Sequence, residues 1–154
     1  MFDEIVIREM THADERAVNE FFDSMGGESR ALFNRRDYNR KNVLKFLQNP
    51  DKTRRYWIAE LDGMMAGYVF FLDYNTTVPT MGIALRDDLK GKHLGRRLVG
   101  FLIERAKADG KGGIQVTTHI ANLRGQALYE AMGFRQLGVC KNGTELFYLY
   151  RYCD

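Results

Sequence analysis

Cysteine and proline are scarce in this chain, with two of each among 154 residues. Two thiols, Cys140 and Cys153, cannot build a disulfide framework, and no CxxC or His/Cys cluster offers a metal site. With few prolines and a 45% hydrophobic share, disorder is not expected. Long apolar runs are missing too; no stretch approaches the roughly 18 residues of a membrane helix. The opening MFDEIVIREM lacks the basic start and apolar core of a signal peptide. Net charge is only +3, which admits an anionic ligand without arguing for nucleic acid. Two nucleotide-binding signatures, GxxxxGK[ST] and GxGxxG, are absent. These absences leave one metal-free cytoplasmic domain over residues 1–154 as the expectation, long enough to bury its own core.

What is present begins with an alternating strand, Glu4 to Glu9, that puts Ile5 and Ile7 on one face. Thr11 stands at an N-cap position with Asp14 in the first turn, and Ala17, Val18, Phe21, Phe22 and Met25 follow at helical spacing up to Gly26-Gly27. The segment from Glu28 to Arg55 is basic, with nine cations against three carboxylates, and contains a helix pattern from about Tyr38 to Gln48. Its charge reads as a solvated face or as an anion-attracting rim; no nucleic-acid motif accompanies it. RYWIAEL and MMAGYVFFLD then flank Asp62-Gly63, a strong hairpin signal. Gly67 marks a bulge or a close backbone approach. Val78 to Leu85 is the next strand, kept uncrowded on one side by Gly82.

The stretch from Val78 to Phe134 organises the rest. After Leu85 the chain passes through Leu89-Lys90-Gly91-Lys92-His93-Leu94-Gly95-Arg96 into a helix whose apolar stripe is Leu94, Leu98, Val99, Phe101, Leu102, Ile103 and Ala106, ending near Gly110. A glycine-bearing turn at a helix start aims unpaired amides outward, a setting suited to phosphate. Ile114 to His119 is a second strand, parallel to the first through the helix. Asn122 can cap a short second helix, Gly133 can end it, and Tyr129 lies about two turns from the cap. Ligand sites form at the carboxyl ends of such strand pairs.

On LKGKHLG (Leu89 to Gly95) and NLRGQALYEAMGF (Asn122 to Phe134), the sequence resembles the GNAT superfamily of acetyl-CoA-dependent N-acetyltransferases. The departures are Lys90, where the family has Arg or Gln, and His93, where it has its first glycine. The resemblance implies a mixed α/β domain, α+β-like, with a mostly antiparallel sheet of roughly six or seven strands, one splayed parallel pair and helices on both faces. It implies acetyl-CoA as co-substrate, with backbone amides from Lys90, Gly91, Lys92, His93, Leu94, Gly95 and Arg96 on the pyrophosphate. Ile83, Ala84 and Leu85 would pair with the pantetheine arm, and one strand amide would stabilise the oxyanion. Asn122 would contact pantetheine or order the second helix. Tyr129 would stand by the sulfur as acid or hydrogen-bond donor to the leaving thiolate.

A primary amine arrives protonated, with a pKa near 10.4, so a base must act directly or through water. His119, Glu60 and Asp73 are the residues available for it. The C-terminal runs Phe134 to Cys140 and Glu145 to Tyr152 form a hairpin around Lys141-Asn142-Gly143, with Tyr148, Tyr150 and Tyr152 on one face as core or cross-strand packing. The expected reaction is acetyl transfer to a small-molecule or peptide amine by direct attack; a non-catalytic acyl-CoA sensor on the same fold is the alternative. The amine's identity and a homodimer both stay open.

Overall fold

The computed structural model describes residues 4–25, 40–89 and 93–152. The expected sheet is there, with seven strands in the order β1-β2-β3-β4-β5-β7-β6. The strands are β1 (Val6–Glu9), β2 (Arg55–Leu61), β3 (Met64–Leu72), β4 (Thr80–Leu85), β5 (Gly113–His119), β6 (Arg135–Cys140) and β7 (Glu145–Arg151). All neighbours run antiparallel except β4 and β5. Among the described residues, four α-helices accompany them: α1 (Glu15–Asp23), α2 (Arg40–Gln48), α3 (Leu94–Ala108) and α4 (Leu123–Ala131).

Alternation along the strands sorts side chains into two cores. One face of the sheet packs Trp57, Val69, Phe71, Met81, Ile114, Val116 and Tyr148 against the buried stripe of α3. The other packs Tyr56, Ile58, Tyr68, Phe70 and Ala84 against Val18, Phe21 and Phe22 of α1 and Val43 and Leu47 of α2. The aromatic stripe before Met25 is thus core. The three C-terminal tyrosines belong to the α3 side: Tyr148 is wholly buried, and Tyr150 and Tyr152 pack beside it.

Turn chemistry follows the sequence closely. Asp62 (φ 53°) and Gly63 (φ 77°) make the β2–β3 hairpin, and Lys141, Asn142 and Gly143 turn the β6–β7 one with φ of 55°, 57° and 81°. The pairing register shifts between Ala59 and Glu60, beside Gly67. A Cβ on Gly67 would stand 2.6 Å from the Ala84 carbonyl, so this position combines a bulge with a close approach. Gly26-Gly27, Tyr38 and the cations Arg30, Arg35 and Arg36 lie outside the described residues. Within them, Arg40 pairs with Asp23 at 2.6 Å and Arg55 with Glu9 at 2.6 Å, while Arg55 also stacks over Trp57 at 4.7 Å. Those two arginines serve the fold.

Candidate active site

The parallel pair meets at a single point, Thr80 opposite Gln115. Beyond it, β4 from Met81 to Leu85 and β5 from Val116 to His119 diverge, because β4 follows β3 while β5 follows β7. The result is a wedge open at the carboxyl ends. β2 runs parallel to β4, since both are antiparallel to β3, so Glu60 ends at the same edge as Leu85 and His119. Asp73 follows β3, which runs the other way; the topology puts it at the far edge, and it drops out as a base for this site.

Two helices begin at the open end. α3 starts from His93, whose φ of 66° lies in the left-handed region. That explains the glycine of the family pattern: a residue without Cβ adopts this conformation at least cost, and histidine is among the side chains better tolerated there. The His93 side chain makes no capping hydrogen bond to the helix. The His93 carbonyl receives Arg97 N–H at 3.5 Å, and the first-turn amides of Leu94, Gly95 and Arg96 are the ones a helix start leaves without intrahelical acceptors. Leu94 and Gly95 are buried, whereas Arg96 is exposed. Lys90, Gly91 and Lys92 lie outside the described residues.

Gly95 also sets the spacing between the two helices. A Cβ there would stand 3.1 Å from Leu128 Cδ2 on α4, so the glycine lets α4 close against the start of α3. α4 is in turn fixed by Asn122. Its Oδ1 accepts Gly125 N–H at 3.2 Å, and its Nδ2 donates to Thr118 Oγ1 on β5 at 2.9 Å. With both ends of the amide engaged, Asn122 orders the helix. Sequence reasoning had the cap; the tie to Thr118 carried no pattern of its own.

Tyr129 is buried on the α3 side, its ring 5.7 Å from that of Phe134 and 5.9 Å from that of Tyr148. Tyr148 donates its hydroxyl to Glu130 Oε2 at 2.8 Å, fastening α4 to β7 beside Tyr129. Burial, reinforced by that carboxylate, pushes the Tyr148 hydroxyl up to about 12.

On the opposite face stand Glu60 and His119. Glu60 Oε1 receives both Nε of Arg8, at 2.8 Å, and Nη2 of Arg8. Arg8 also grips Asp14 through two bonds of 3.0 and 2.7 Å, and Asp14 Oδ2 accepts the Thr11 N–H at 2.8 Å. The Arg8 hydrogen bond holds the Asp14 carboxyl below its ordinary value, and the two carboxylates push Arg8 further up. Arg8 and Asp14 lie six residues apart, but Glu60 is 52 residues from Arg8 and only the β1–β2 pairing brings it in, so its place in the network had no local sequence signal. His119 is partly buried, and its Nδ1 accepts the Ala121 N–H at 3.0 Å. Ile83 and Leu85 pack toward the α3 side, and Ala84 is buried on the other.

Among the described residues, no group of three or more His, Cys, Asp or Glu side chains could hold a metal ion, and no helix is long and apolar enough to cross a membrane. The thiol of Cys140 is partly buried on β6; Cys153 lies outside the described residues.

Residues 16–134 match the sequence profile of the Acetyltransferase (GNAT) family. The chain belongs to that family. Among curated proteins, it is 26% identical over 98 residues to a Bacillus subtilis (strain 168) protein provisionally named [ribosomal protein bS18]-alanine N-acetyltransferase. That alignment covers 64% of this chain and spans 64% of the relative's length. The fold matches the ribosomal-protein-S5-alanine acetyltransferase of Vibrio fischeri with a TM-score of 0.82 and 17% identity, covering 100% of this chain and 96% of that one. It matches AAC(6')-Ib, solved with paromomycin and acetyl-CoA, with a TM-score of 0.80 and 22% identity over 97% of this chain and 94% of that one.

Proposed function

We propose that the protein transfers an acetyl group from acetyl-CoA to a primary amine by direct attack. The observation that carries this reading is the wedge itself: two strands paired only at Thr80 and Gln115, a helix start that the His93 side chain leaves uncapped at one open lip, and a buried tyrosine on the helix at the other. In this reading the amides of Leu94, Gly95 and Arg96, together with Lys90, Gly91, Lys92 and the amide of His93, hold the coenzyme A pyrophosphate. The amides that the first turn of α3 leaves without intrahelical acceptors, with the positive end of the helix dipole behind them, favour an anion there. The pantetheine arm lies along Ile83, Ala84 and Leu85 like an added strand, and a β4 amide faces the thioester oxygen where negative charge develops.

The two sheet faces then divide the work. The amine approaches from the α1–α2 face, where Glu60 and His119 stand, and the thiolate leaves toward Tyr129 on the α3 face. A phenol of pKa about 10 protonating a thiolate of pKa about 8.5 is uphill by roughly 2 kcal/mol. Tyr129 therefore acts mainly by hydrogen-bonding the thiolate as charge appears on sulfur. For the base, the proposal favours Glu60 acting through water. Arg8 occupies Oε1 and fixes the carboxylate, leaving Oε2 to receive a proton. Proton uptake at His119 Nδ1 would break its bond to Ala121.

The acceptor is an amine on a small molecule or a peptide. The relatives' names span both, a ribosomal-protein alanine in one and an aminoglycoside in another. The test is thiol release from acetyl-CoA across a panel of polyamines, amino acids, aminoglycosides and peptides, with Tyr129→Phe beside the wild type. Turnover with at least one amine and a kcat lowered about tenfold or more by Tyr129→Phe are expected. Acetyl-CoA binding with no turnover on any amine would instead make the chain an acyl-CoA sensor.

A further inference from the structure

The wedge is shut at its inner end. Past the Thr80–Gln115 pair, Gln115 N–H donates to the Pro79 carbonyl at 3.0 Å, and its side-chain Nε2 donates to the Val78 carbonyl at 2.9 Å. The glutamine is therefore pinned across the point where the strands meet. Met81 and Val116, the first residues beyond that pair, turn to the α3 face and are buried there. On the other face Phe70 pairs directly with Gly82, and its ring occupies the space a Cβ at Gly82 would need. The ring has little room to swing aside. It is wholly buried and stacks on Tyr56 at 5.1 Å and Tyr68 at 5.8 Å, with interplanar angles of 22° and 23°.

This geometry bears on the donor. A thioester whose pyrophosphate sits at the start of α3 enters from the open lip with its acyl group leading. The acetyl methyl is then the atom nearest the apex, and every further methylene must be added toward Gln115, between Met81 and the Phe70 ring. We infer that the closed apex restricts the donor to short acyl chains, acetyl over butyryl, with Phe70 lying over Gly82 and Gln115 setting the limit. The inference rests on the proposed coenzyme A reading of the wedge. Its physical basis is that close-packed walls take extra methylenes only by forcing side chains off their rotamers.

Calorimetric titration of the protein with CoA, acetyl-CoA and butyryl-CoA separates the limit from the site. Acetyl-CoA is expected to bind about tenfold or more tightly than butyryl-CoA. Phe70→Leu should narrow that ratio to within about threefold, by opening space over Gly82. Equal wild-type affinities for the two thioesters, or an unchanged ratio in Phe70→Leu, overturn the limit while leaving the coenzyme site standing. No binding of CoA itself overturns the site and the limit together. Should Phe70→Leu fail to fold by circular dichroism, Gln115→Ala at its partly buried position takes its place. A narrowed ratio supports the inference and an unchanged one overturns it.

Discussion

His119 Nδ1 accepts the backbone N–H of Ala121 at 3.0 Å, so its imidazole holds the turn that leads from β5 into α4. In the neutral ring an accepting Nδ1 leaves the proton on Nε2, and neither nitrogen is then ready to take another without breaking a contact. Asparagine carries an acceptor at nearly the same distance from the backbone. His119→Asn is therefore expected to keep kcat within about threefold, whereas Glu60→Gln lowers it about a hundredfold, the size of a lost general base. Steady-state kinetics on the best amine of the panel decides it. The opposite ranking would make His119 the base.

The left-handed His93 predicts a gain from restoring the family's glycine. L-residues are strained at a φ of 66°, and part of that strain is recovered when Cβ is removed, less the entropy the freer glycine loses on folding. His93→Gly should stabilise the protein by about 0.5 kcal/mol, near 1–2 °C in Tm for a domain of this size. Thermal unfolding measures it. A drop in Tm of several degrees would show that the imidazole contributes contacts outweighing the strain.

Acid should loosen the end of the sheet at β1. Arg8 lowers the Asp14 carboxyl below its ordinary 3.8, so on acidification the unfolded chain binds a proton at this residue before the folded chain does. The stability that the pair contributes is present above that value and is lost as pH falls through the lower, folded one. Asp14→Asn should cost about 1–2 kcal/mol at neutral pH, a figure discounted for the partly exposed guanidinium. The gap to wild type should shrink as pH is taken below 3.8. Denaturant titrations at several pH values follow it, and a gap independent of pH would contradict the assignment.

Much of this architecture could be read from local chemistry. Asp62-Gly63, Lys141-Asn142-Gly143, Gly110 and Gly133 announced their turns and stops because each adopts a conformation that other residues avoid. The stripes of α1 and α3 gave their buried faces because helical spacing and burial are the same fact seen twice. Asn122 and Tyr129 were legible through the second family motif. Long-range register was not. Nothing local tells that Arg8 meets Glu60 or that Asp73 ends at the wrong edge of the sheet. Each depends on which strand lies beside which, and that is settled by the whole core.

The central claim is that acetyl-CoA lies in the β4–β5 wedge with its pyrophosphate on the start of α3. Backbone amide NMR of the protein titrated with acetyl-CoA tests it residue by residue. The account predicts the largest shifts at Ile83, Ala84 and Leu85 and at His93 through Arg96, with smaller ones at Tyr129. Saturable shifts confined to other strands, or none at all, would contradict it.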